Sequence, residues 1–381
     1  MKKNIKRTES RPIASIVTSL GALSSRWLKK DCPFRKKAVR RLVDRSGYAG
    51  KMASAMLDAL FGELTAPKLW RLLRAELGDP RVLDEFRRDR ITGKWRRARG
   101  PAVITHIFSS NVPSPAITSF VLGMLVKSVN LGKVSRRDHG FLDIYLESLS
   151  KHDPRLAATS RLLPLGVKGG GYAFLRGPLH RSGLVVAYGS DETLSEIKKN
   201  IPQGTAFEGY GHRVSVGVYV GPAARTSAVA KKAARDVWMS GQRGCLSPLV
   251  LFIEGRKESE VLPFARAFKR ALERDAKGKW LVSYDDDLSH VSLPKSDRVV
   301  PIKVFRKIED VFKALRPFAR WLQGVSLEAP EPQRRRWAER LSAMGVNRIC
   351  RAGRMQVPPI TWHHDGRPNL AHWLKWADWE E

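Results

Sequence analysis

The feature that most restricts the fold of this chain is a regular alternation of short apolar runs and helical patterns after residue 101. A buried-strand pattern at 102–108, a turn, a helix at 116–127 and a strand at 128–134 form one strand–helix–strand unit. Further strands are predicted at 183–188, 214–220, 249–253 and 299–305, and further helices at 191–199, 227–239, 258–273, 308–315 and 334–344. Strands that alternate with helices are typical of parallel sheets. The sequence therefore predicts an α/β fold.

The first hundred residues show a different pattern. Apolar residues recur at helical spacing around 52–60 and 69–77, and Gly78-Asp79-Pro80 ends the second run. We interpret the arginine-rich segment 87–99 as a solvated linker and the tryptophan-rich end of the sequence as a mostly irregular tail. The division that we expect is a helical region at 1–100, two α/β domains at 101–212 and 213–335, and a closing segment at 336–381.

The charge of the chain restricts its partners. Its 69 Lys and Arg against 37 Asp and Glu give a formal net charge of +32, which favours acidic partners such as phosphate-bearing molecules or acidic carrier proteins. General solubility of a basic protein is an equally simple interpretation. Nucleic acid is not an expected partner, because the sequence has no helix-turn-helix, zinc or RNA-binding motif.

Composition also restricts location and metal binding. No apolar run reaches the roughly 20 residues that cross a bilayer, so we expect no transmembrane segment. Three scattered cysteines, Cys32, Cys245 and Cys350, suit neither a disulfide framework nor a zinc cage. They favour a reducing compartment, and we expect a cytoplasmic protein without a metal site.

Cys245 is the first candidate for chemistry. It lies in the glycine-punctuated turn Gly244-Cys245-Leu246-Ser247-Pro248, between a predicted helix and a predicted strand. Only about 3% of an ordinary thiol is ionised at pH 7, so a nucleophilic cysteine needs a nearby base or positive field. His212, 33 residues upstream (245 − 212), is the candidate base. A buried packing thiol and a structural histidine are the alternatives.

Several short motifs, in chain order, carry a resemblance to a known family. They are Gly47-Tyr48 through Phe86, Asn111-Val112-Pro113, Lys133-Val134-Ser135, Ala187 through Thr193, Gly209-Tyr210-Gly211-His212-Arg213, Gly244 through Pro248, and His364-Asp365-Gly366-Arg367-Pro368-Asn369-Leu370. On these motifs the chain resembles the LuxC-type acyl-CoA reductases of the aldehyde dehydrogenase superfamily. The resemblance implies an aldehyde dehydrogenase-like α/β fold, with a Rossmann-type cofactor domain at 101–212 and a catalytic domain at 213–335.

The resemblance also implies roles for catalytic residues. Cys245 falls on the nucleophile, and Asn111 on the asparagine that stabilises an oxyanion together with the Cys245 backbone N–H. Taken alone, Asn111 could instead cap the following helix. His212 occupies the place of the glutamate that activates water in the hydrolytic enzymes of the superfamily.

For the cofactor, the resemblance implies NADPH. Lys133 falls on the lysine that binds the adenosine ribose, with Ser135 beside it, and Arg136 stands where NAD-preferring relatives carry an acid. Gly189 and Ser190 fall on the turn near the pyrophosphate. The later Glu-x-Phe-Gly-Pro ribose motif of the superfamily has no counterpart before Val299-Val300-Pro301. The alternative is that Lys133 and Arg136 are ordinary surface charges without a role in cofactor binding.

The activity that follows from the resemblance is NADPH-dependent reduction of an acyl-CoA or acyl-carrier-protein thioester to an aldehyde, with an acyl-transferring or acyl-activating protein as a further expected partner. Three alternatives stay open at this point. They are an aldehyde-oxidising enzyme, an acyl-phosphate reductase and a basic binding protein without catalysis.

Overall fold

The computed structural model describes residues 10–109, 112, 114–135, 140–164, 175–276, 278–294 and 296–380. The chain divides into two compact units, each assembled from separated segments. The first unit comprises 1–45, 60–211 and 359–381, and the second comprises 46–59 and 212–358.

The predicted helical N-terminal region is confirmed. It contains α1 (Ile13–Leu28), α2 (Pro33–Ser46), α3 (Gly50–Glu63) and α4 (Ala66–Leu77). In the first unit Trp27 is fully buried, its ring stacks on Phe61 with 4.5 Å between ring centroids, and its Nε1 donates to Ser148 Oγ at 2.9 Å. The indole thus buries a large apolar surface while its only polar atom keeps a hydrogen bond.

The segment 87–99 and the end of the chain correct the sequence-based interpretation. Instead of a linker and a purely irregular tail, they contain β1 (Arg87–Arg88), β2 (Trp95–Arg99) and β14 (Lys375–Trp379). These strands form an antiparallel sheet in the order β1-β2-β14. Aromatic pairs such as Trp95 on Trp379, 5.8 Å apart, replace the apolar alternation that usually marks a strand.

The main sheet of the first unit is parallel throughout. Its strands are β3 (Val103–Ile107), β4 (Val129–Lys133), β5 (Ser160–Leu162), β6 (Leu184–Tyr188) and β7 (Ala206–Tyr210), in the order β5-β4-β3-β6-β7. The helices along this stretch are α5 (Ser114–Leu125), α6 (Phe141–His152), α7 (Pro154–Ala157), α8 (Arg176–Arg181) and α9 (Asp191–Lys199). The chain runs outward from β3 to β5 and then returns to β6 beside β3. In such sheets ligands bind at the carboxyl ends of the strands, where the order reverses.

His106 is a buried polar residue in the middle of this sheet. Its Nδ1 lies 2.8 Å from Ser119 Oγ and its Nε2 lies 3.0 Å from Asn130 Oδ1. The Asn130 Nδ2 donates to Ser128 O at 3.1 Å, so Oδ1 is left to accept from Nε2–H and the Ser119 hydroxyl donates to Nδ1. Burial lowers the pKa of His106 to about 4, against the hydrogen bond to Asn130. The ring is therefore a neutral part of the core.

The second unit is built on another parallel sheet. Its strands are β8 (Val214–Tyr219), β9 (Pro248–Glu254), β10 (Leu281–Asp285), β11 (Val299–Phe305), β12 (Leu322–Glu328) and β13 (Arg348–Cys350), in the order β10-β11-β9-β8-β12-β13. Its helices include α10 (Ser227–Trp238), α11 (Glu258–Asp275), α12 (Ile308–Leu315) and α13 (Gln333–Ala343). Val250, Phe252 and Val325 are fully buried in its core. The predicted elements of this region are confirmed, with β11 and α12 at their predicted bounds.

Candidate active site

Cys245 lies in the loop that joins α10 to β9, and its residue is exposed. Cys32 and Cys350 are half-buried, and burial raises the pKa of the Cys350 thiol to about 11. Since the thiolate is the nucleophilic form of cysteine, Cys350 is mostly in its less reactive thiol form at neutral pH. Exposure therefore distinguishes Cys245 from the other two thiols.

Buried hydroxyl groups hold the backbone on both sides of this exposed thiol. The fully buried Ser215, on β8, donates from Oγ to Cys245 O at 2.7 Å. Ser247 is also buried, and its Oγ lies 2.6 Å from Ser240 Oγ and accepts from Gln356 Nε2 at 3.0 Å. The loop is thus fixed to the neighbouring strand and to the end of α10, while Cys245 itself stays exposed.

Gln242 explains how the loop leaves the helix. Gly241 and Gln242 both have left-handed backbones, with φ of 61° and 63°, and a non-glycine residue pays a steric cost there. The buried Gln242 side chain donates from Nε2 to Val299 O at 2.8 Å and accepts from Arg298 N at 2.7 Å. These two hydrogen bonds to the start of β11 offset the cost and fix the direction of the loop.

Asp236 ties a distant segment to the same region. It lies on α10, fully buried, and its carboxyl oxygens accept from Gly353 N at 2.6 Å and Met355 N at 2.9 Å. Gln356, the next residue, donates to Asp236 O at 2.8 Å. These hydrogen bonds therefore hold the segment after β13 against α10. Burial raises the pKa of Asp236 to about 7, against the two backbone N–H groups, which favour the ionised form.

His212 and Cys245 are brought to the same edge of the second-unit sheet. β8 and β9 are parallel neighbours, and Ser215 pairs with Pro248. His212 precedes Ser215 by as many residues as Cys245 precedes Pro248 (215 − 212 = 248 − 245). Both residues are exposed. Both residues thus lie at the amino edge of the sheet, beyond the ends of adjacent strands.

The predicted cofactor residues lie at the carboxyl edge of the first-unit sheet. Lys133 ends β4 and is half-buried, with Ser135 two residues beyond it, and Gly189-Ser190 follows β6. Ser190 Oγ accepts from Thr193 N at 3.3 Å as the N-cap of α9. Asn111 and Arg136 lie outside the described residues.

These residues fit a nicotinamide dinucleotide. An ammonium group, a hydroxyl group and the amino end of a helix are the donors that phosphate prefers, and they stand where ligands bind in sheets of this topology. A side chain at Gly189 would come within 2.9 Å of Thr193 Cγ2, so glycine keeps this turn close to the helix. Two exposed acids, Asp191 and Glu192, occupy the first turn of α9 and compete with phosphate there.

Sequence reasoning missed a group of ionic contacts around a buried carboxylate in the first unit. Glu208 is buried on β7; its Oε2 lies 2.9 Å from His372 Nε2 and its Oε1 lies 3.0 Å from Arg367 Nη1. The Arg367 guanidinium also donates to Gly209 O at 3.2 Å. Next to it, Tyr210 stacks on His364 with 4.3 Å between ring centroids. The His364–Leu370 motif thus holds the segment after residue 359 against β7.

Neither a cluster of metal ligands nor a membrane-spanning helix occurs among the described residues. Among them, no group of three or more His, Cys, Asp or Glu side chains is arranged to hold a metal ion. Within the same residues, no helix has both the length and the apolar character that crossing a membrane requires.

Comparison with known proteins relates the chain to acyl reductases. The sequence pattern of the family described as acyl-CoA reductase (LuxC) matches residues 9–278 and 269–376. The long-chain acyl-protein thioester reductase of Vibrio harveyi is 21% identical over 402 residues, which cover 97% of this chain and 83% of that protein.

Comparison with solved structures shows the fold. An oxidoreductase from Marinobacter aquaeolei matches with a TM-score of 0.74 and 13% identity, over 98% of this chain and 87% of that one. Betaine aldehyde dehydrogenase from Staphylococcus aureus, solved in complex with NAD+, matches with a TM-score of 0.69 and 12% identity, over 97% of this chain and 85% of that one. The predicted aldehyde dehydrogenase-like fold is therefore confirmed.

Proposed function

The chain belongs to the acyl-CoA reductase (LuxC) family and is an oxidoreductase of the acyl-reducing type; we propose that it reduces a long-chain acyl thioester to an aldehyde through a covalent acyl group on Cys245. The observation that carries the proposal is the exposed Cys245 thiol on a loop whose backbone is held by buried hydrogen bonds. Because the loop holds the thiol in place, less entropy is lost when the thiol attacks a bound thioester. The name of the Vibrio harveyi relative supports the long-chain acyl thioester as substrate.

The thiolate of Cys245 attacks the carbonyl carbon of the thioester. A new C–S bond forms, the old one breaks, and the carrier leaves as a thiolate that takes up a proton. His212 accepts the Cys245 proton and returns it to the leaving thiolate. Asn111 and the Cys245 backbone N–H stabilise the negative charge on the carbonyl oxygen. Cys245 holds the acyl carbon during reduction and leaves as a thiolate when the aldehyde forms.

The cofactor that we propose is NADPH, bound by Lys133, Ser135, Arg136, Gly189 and Ser190. When bound, it supplies the hydride. The choice of NADPH over NADH rests on two cations, Lys133 and Arg136, with no acid between them. A 2′-phosphate needs cationic donors, whereas an acid at that position would repel it.

The thioester carrier that we propose is CoA or an acyl carrier protein. A net charge of +32 attracts both, because CoA carries phosphates and carrier proteins are acidic. An acyl-transferring or acyl-activating protein would be a further partner. We also propose that the protein works in the cytoplasm, where thiols stay reduced.

The deciding experiment is incubation with a radiolabelled long-chain acyl-CoA without cofactor, followed by mass spectrometry. We expect the label on Cys245, none in Cys245→Ala, and a wild-type amount in the matched control Cys350→Ala. Label on Cys32 or Cys350 alone would refute the proposal. Addition of NADPH should then release aldehyde. A wild-type protein that only oxidises aldehydes, or that accepts only acyl phosphates, would assign a different reaction to the site.

Cofactor choice has its own test. Arg136→Glu should weaken NADPH binding, measured by fluorescence titration, much more than NADH binding. Equal losses for both cofactors would show that Arg136 does not contact the 2′-phosphate.

A further inference from the structure

Gln356 lies far from Cys245 in sequence but contacts the loop that carries Cys245. Its Nε2 donates to two acceptors on different elements, Asp236 O at 2.8 Å and Ser247 Oγ at 3.0 Å. One acceptor belongs to α10 and the other to the loop that carries the thiol. A single amide group therefore bridges the helix end and the Cys245 loop.

The same side chain lies near Gly244, the residue before the thiol. A Cβ built on Gly244 would stand 3.0 Å from Ser240 Oγ and 3.5 Å from Gln356 Oε1. A side chain at this position would press on Ser240 and contact Gln356, so both residues lie close to the Gly244–Cys245 peptide. The N–H of that peptide is the oxyanion donor of the proposed reaction.

Gln356 is itself held by the segment from which it projects. Gly353 N and Met355 N both donate to the Asp236 carboxyl. Arg348 Nη2 donates to Arg354 O at 2.7 Å and to Val357 O at 3.3 Å. Two buried side chains, Asp236 and Arg348, thereby fix the backbone on both sides of Gln356. A surface glutamine would have no such support.

We propose that Gln356 is a positioning residue, which holds the Gly244–Cys245 peptide in the orientation that attack on the thioester and oxyanion stabilisation require. The inference rests on the proposed acyl transfer to Cys245. Gln356 does not touch the substrate in this role and acts through Ser247 and the loop. Loss of Gln356 should therefore slow the acylation of Cys245 more than the reaction of its thiol with small reagents.

The test compares two reactions of the same thiol. Gln356→Met keeps the length of the side chain and removes its N–H donors. We expect the maximal single-turnover rate of Cys245 acylation by acyl-CoA to fall about 10- to 100-fold, the size of a misplaced nucleophile or oxyanion donor. Half-saturation by acyl-CoA and the rate of alkylation by iodoacetamide should both stay within about threefold of wild type, since neither needs the oxyanion geometry.

The controls separate this role from a structural one. Gln333→Met changes an exposed glutamine at the start of α13 and should leave both reactions unchanged. Ser247→Ala removes the acceptor in the loop and, if Gln356→Met does not fold, serves in its place with the same expected split between the two rates. Equal losses of acylation and alkylation, or unchanged acylation in a folded variant, would overturn the inference. A wild-type protein that is never acylated at Cys245 would instead refute the proposed function, and the inference with it.

Discussion

At the scale of single residues, two histidines show how surroundings decide what an imidazole does. His106 is fully buried, with both ring nitrogens in hydrogen bonds to neutral groups. His212 is exposed, beyond the amino end of β8. The first histidine is a neutral part of the core, and the second lies at the edge of the sheet that also carries Cys245, where we propose that it transfers a proton.

His212 provides the first prediction. His212→Ala should slow single-turnover acylation of Cys245 by about 10²-fold, the usual effect of a lost general base. His212→Glu should slow aldehyde formation and speed hydrolysis of the acyl-enzyme, because a carboxylate base activates water. Rapid-quench measurement of acylation and deacylation tests both variants. His290→Ala, at an exposed histidine of the same unit, is the control, and wild-type acylation in His212→Ala would make His212 structural.

His106 provides the second prediction. Its pKa is about 4 in the folded protein against an ordinary 6.5, so the stability that its neutral form provides is complete above pH 6.5 and is lost as the pH falls towards 4. Between pH 7.5 and pH 5 this loss amounts to about 2 kcal/mol. Because Asp236 contributes an effect of opposite sign, urea unfolding at both pH values should show the His106 effect as a difference of about 2 kcal/mol between the pH dependence of wild type and that of His106→Gln, and the exposed-site control His180→Gln should follow wild type. If His106→Gln keeps the same pH dependence, another group causes it.

At the scale of elements, the segment after β13 and helix α10 act together through Asp236. The buried carboxyl group accepts two backbone N–H groups, with Arg235 and Arg348 close enough to favour its charge. Desolvation outweighs these contributions. The contact between α10 and the segment after β13 therefore contains a carboxyl group, Asp236, whose pKa lies near neutral pH.

Asp236 leads to the third prediction. Its folded pKa of about 7 lies above the ordinary 3.8, so its contribution to stability is complete below pH 3.8 and is lost as the pH rises through 7. Between pH 5 and pH 8 the loss is about 2–3 kcal/mol, opposite in sign to the effect of His106. Asp236→Asn should remove this dependence and also cost about 1–3 kcal/mol, since one N–H loses its acceptor. Unfolding curves of wild type and variant at pH 5, 6.5 and 8 provide the test, and parallel pH profiles would contradict it.

The elements also show what the sequence could and could not predict. β11 and α12 have the bounds that their apolar patterns predict, and α9 has those predicted by its acidic first turn and its final lysines, because each of these signals is local. The sequence does not predict β2, because its arginines show no apolar alternation and its partner β14 lies far along the chain. Cys245 was found from its turn, whereas Gln356 and Asp236 were not. Their importance comes only from contacts between segments more than 100 residues apart in sequence.

At the scale of the whole molecule, the first unit is closed by residues that are distant in sequence. The half-buried Glu76 of α4 accepts the N–H groups of Asn369, Leu370 and Ala371 at 2.7, 2.9 and 2.8 Å. β14 then pairs with β2 along five residue pairs. One carboxylate thus anchors the start of the closing segment, and a strand anchors its end.

Glu76 leads to the fourth prediction. Glu76→Gln keeps the shape but removes the charge and turns one acceptor into a donor that faces N–H groups. The cost should be about 3 kcal/mol of unfolding free energy. Limited proteolysis should also cut more readily between residues 359 and 374. Glu196→Gln, at an exposed glutamate of the same unit, is the control, and equal protease resistance of the two variants would show that the anchor is unimportant.

The separated segments of the first unit have a consequence for synthesis on the ribosome. Residues 60–211 emerge before residues 359–380, which complete the same unit. At about 5–20 residues per second, the intervening 212–358 take on the order of ten seconds to translate. During that delay β2 has only the two-residue β1 as a neighbour, and the N–H and C=O groups of its other edge have no strand to bind. Open strand edges are where nascent chains aggregate, and the arginines of β2, at positions 96, 97 and 99, keep such edges apart by charge repulsion until β14 arrives.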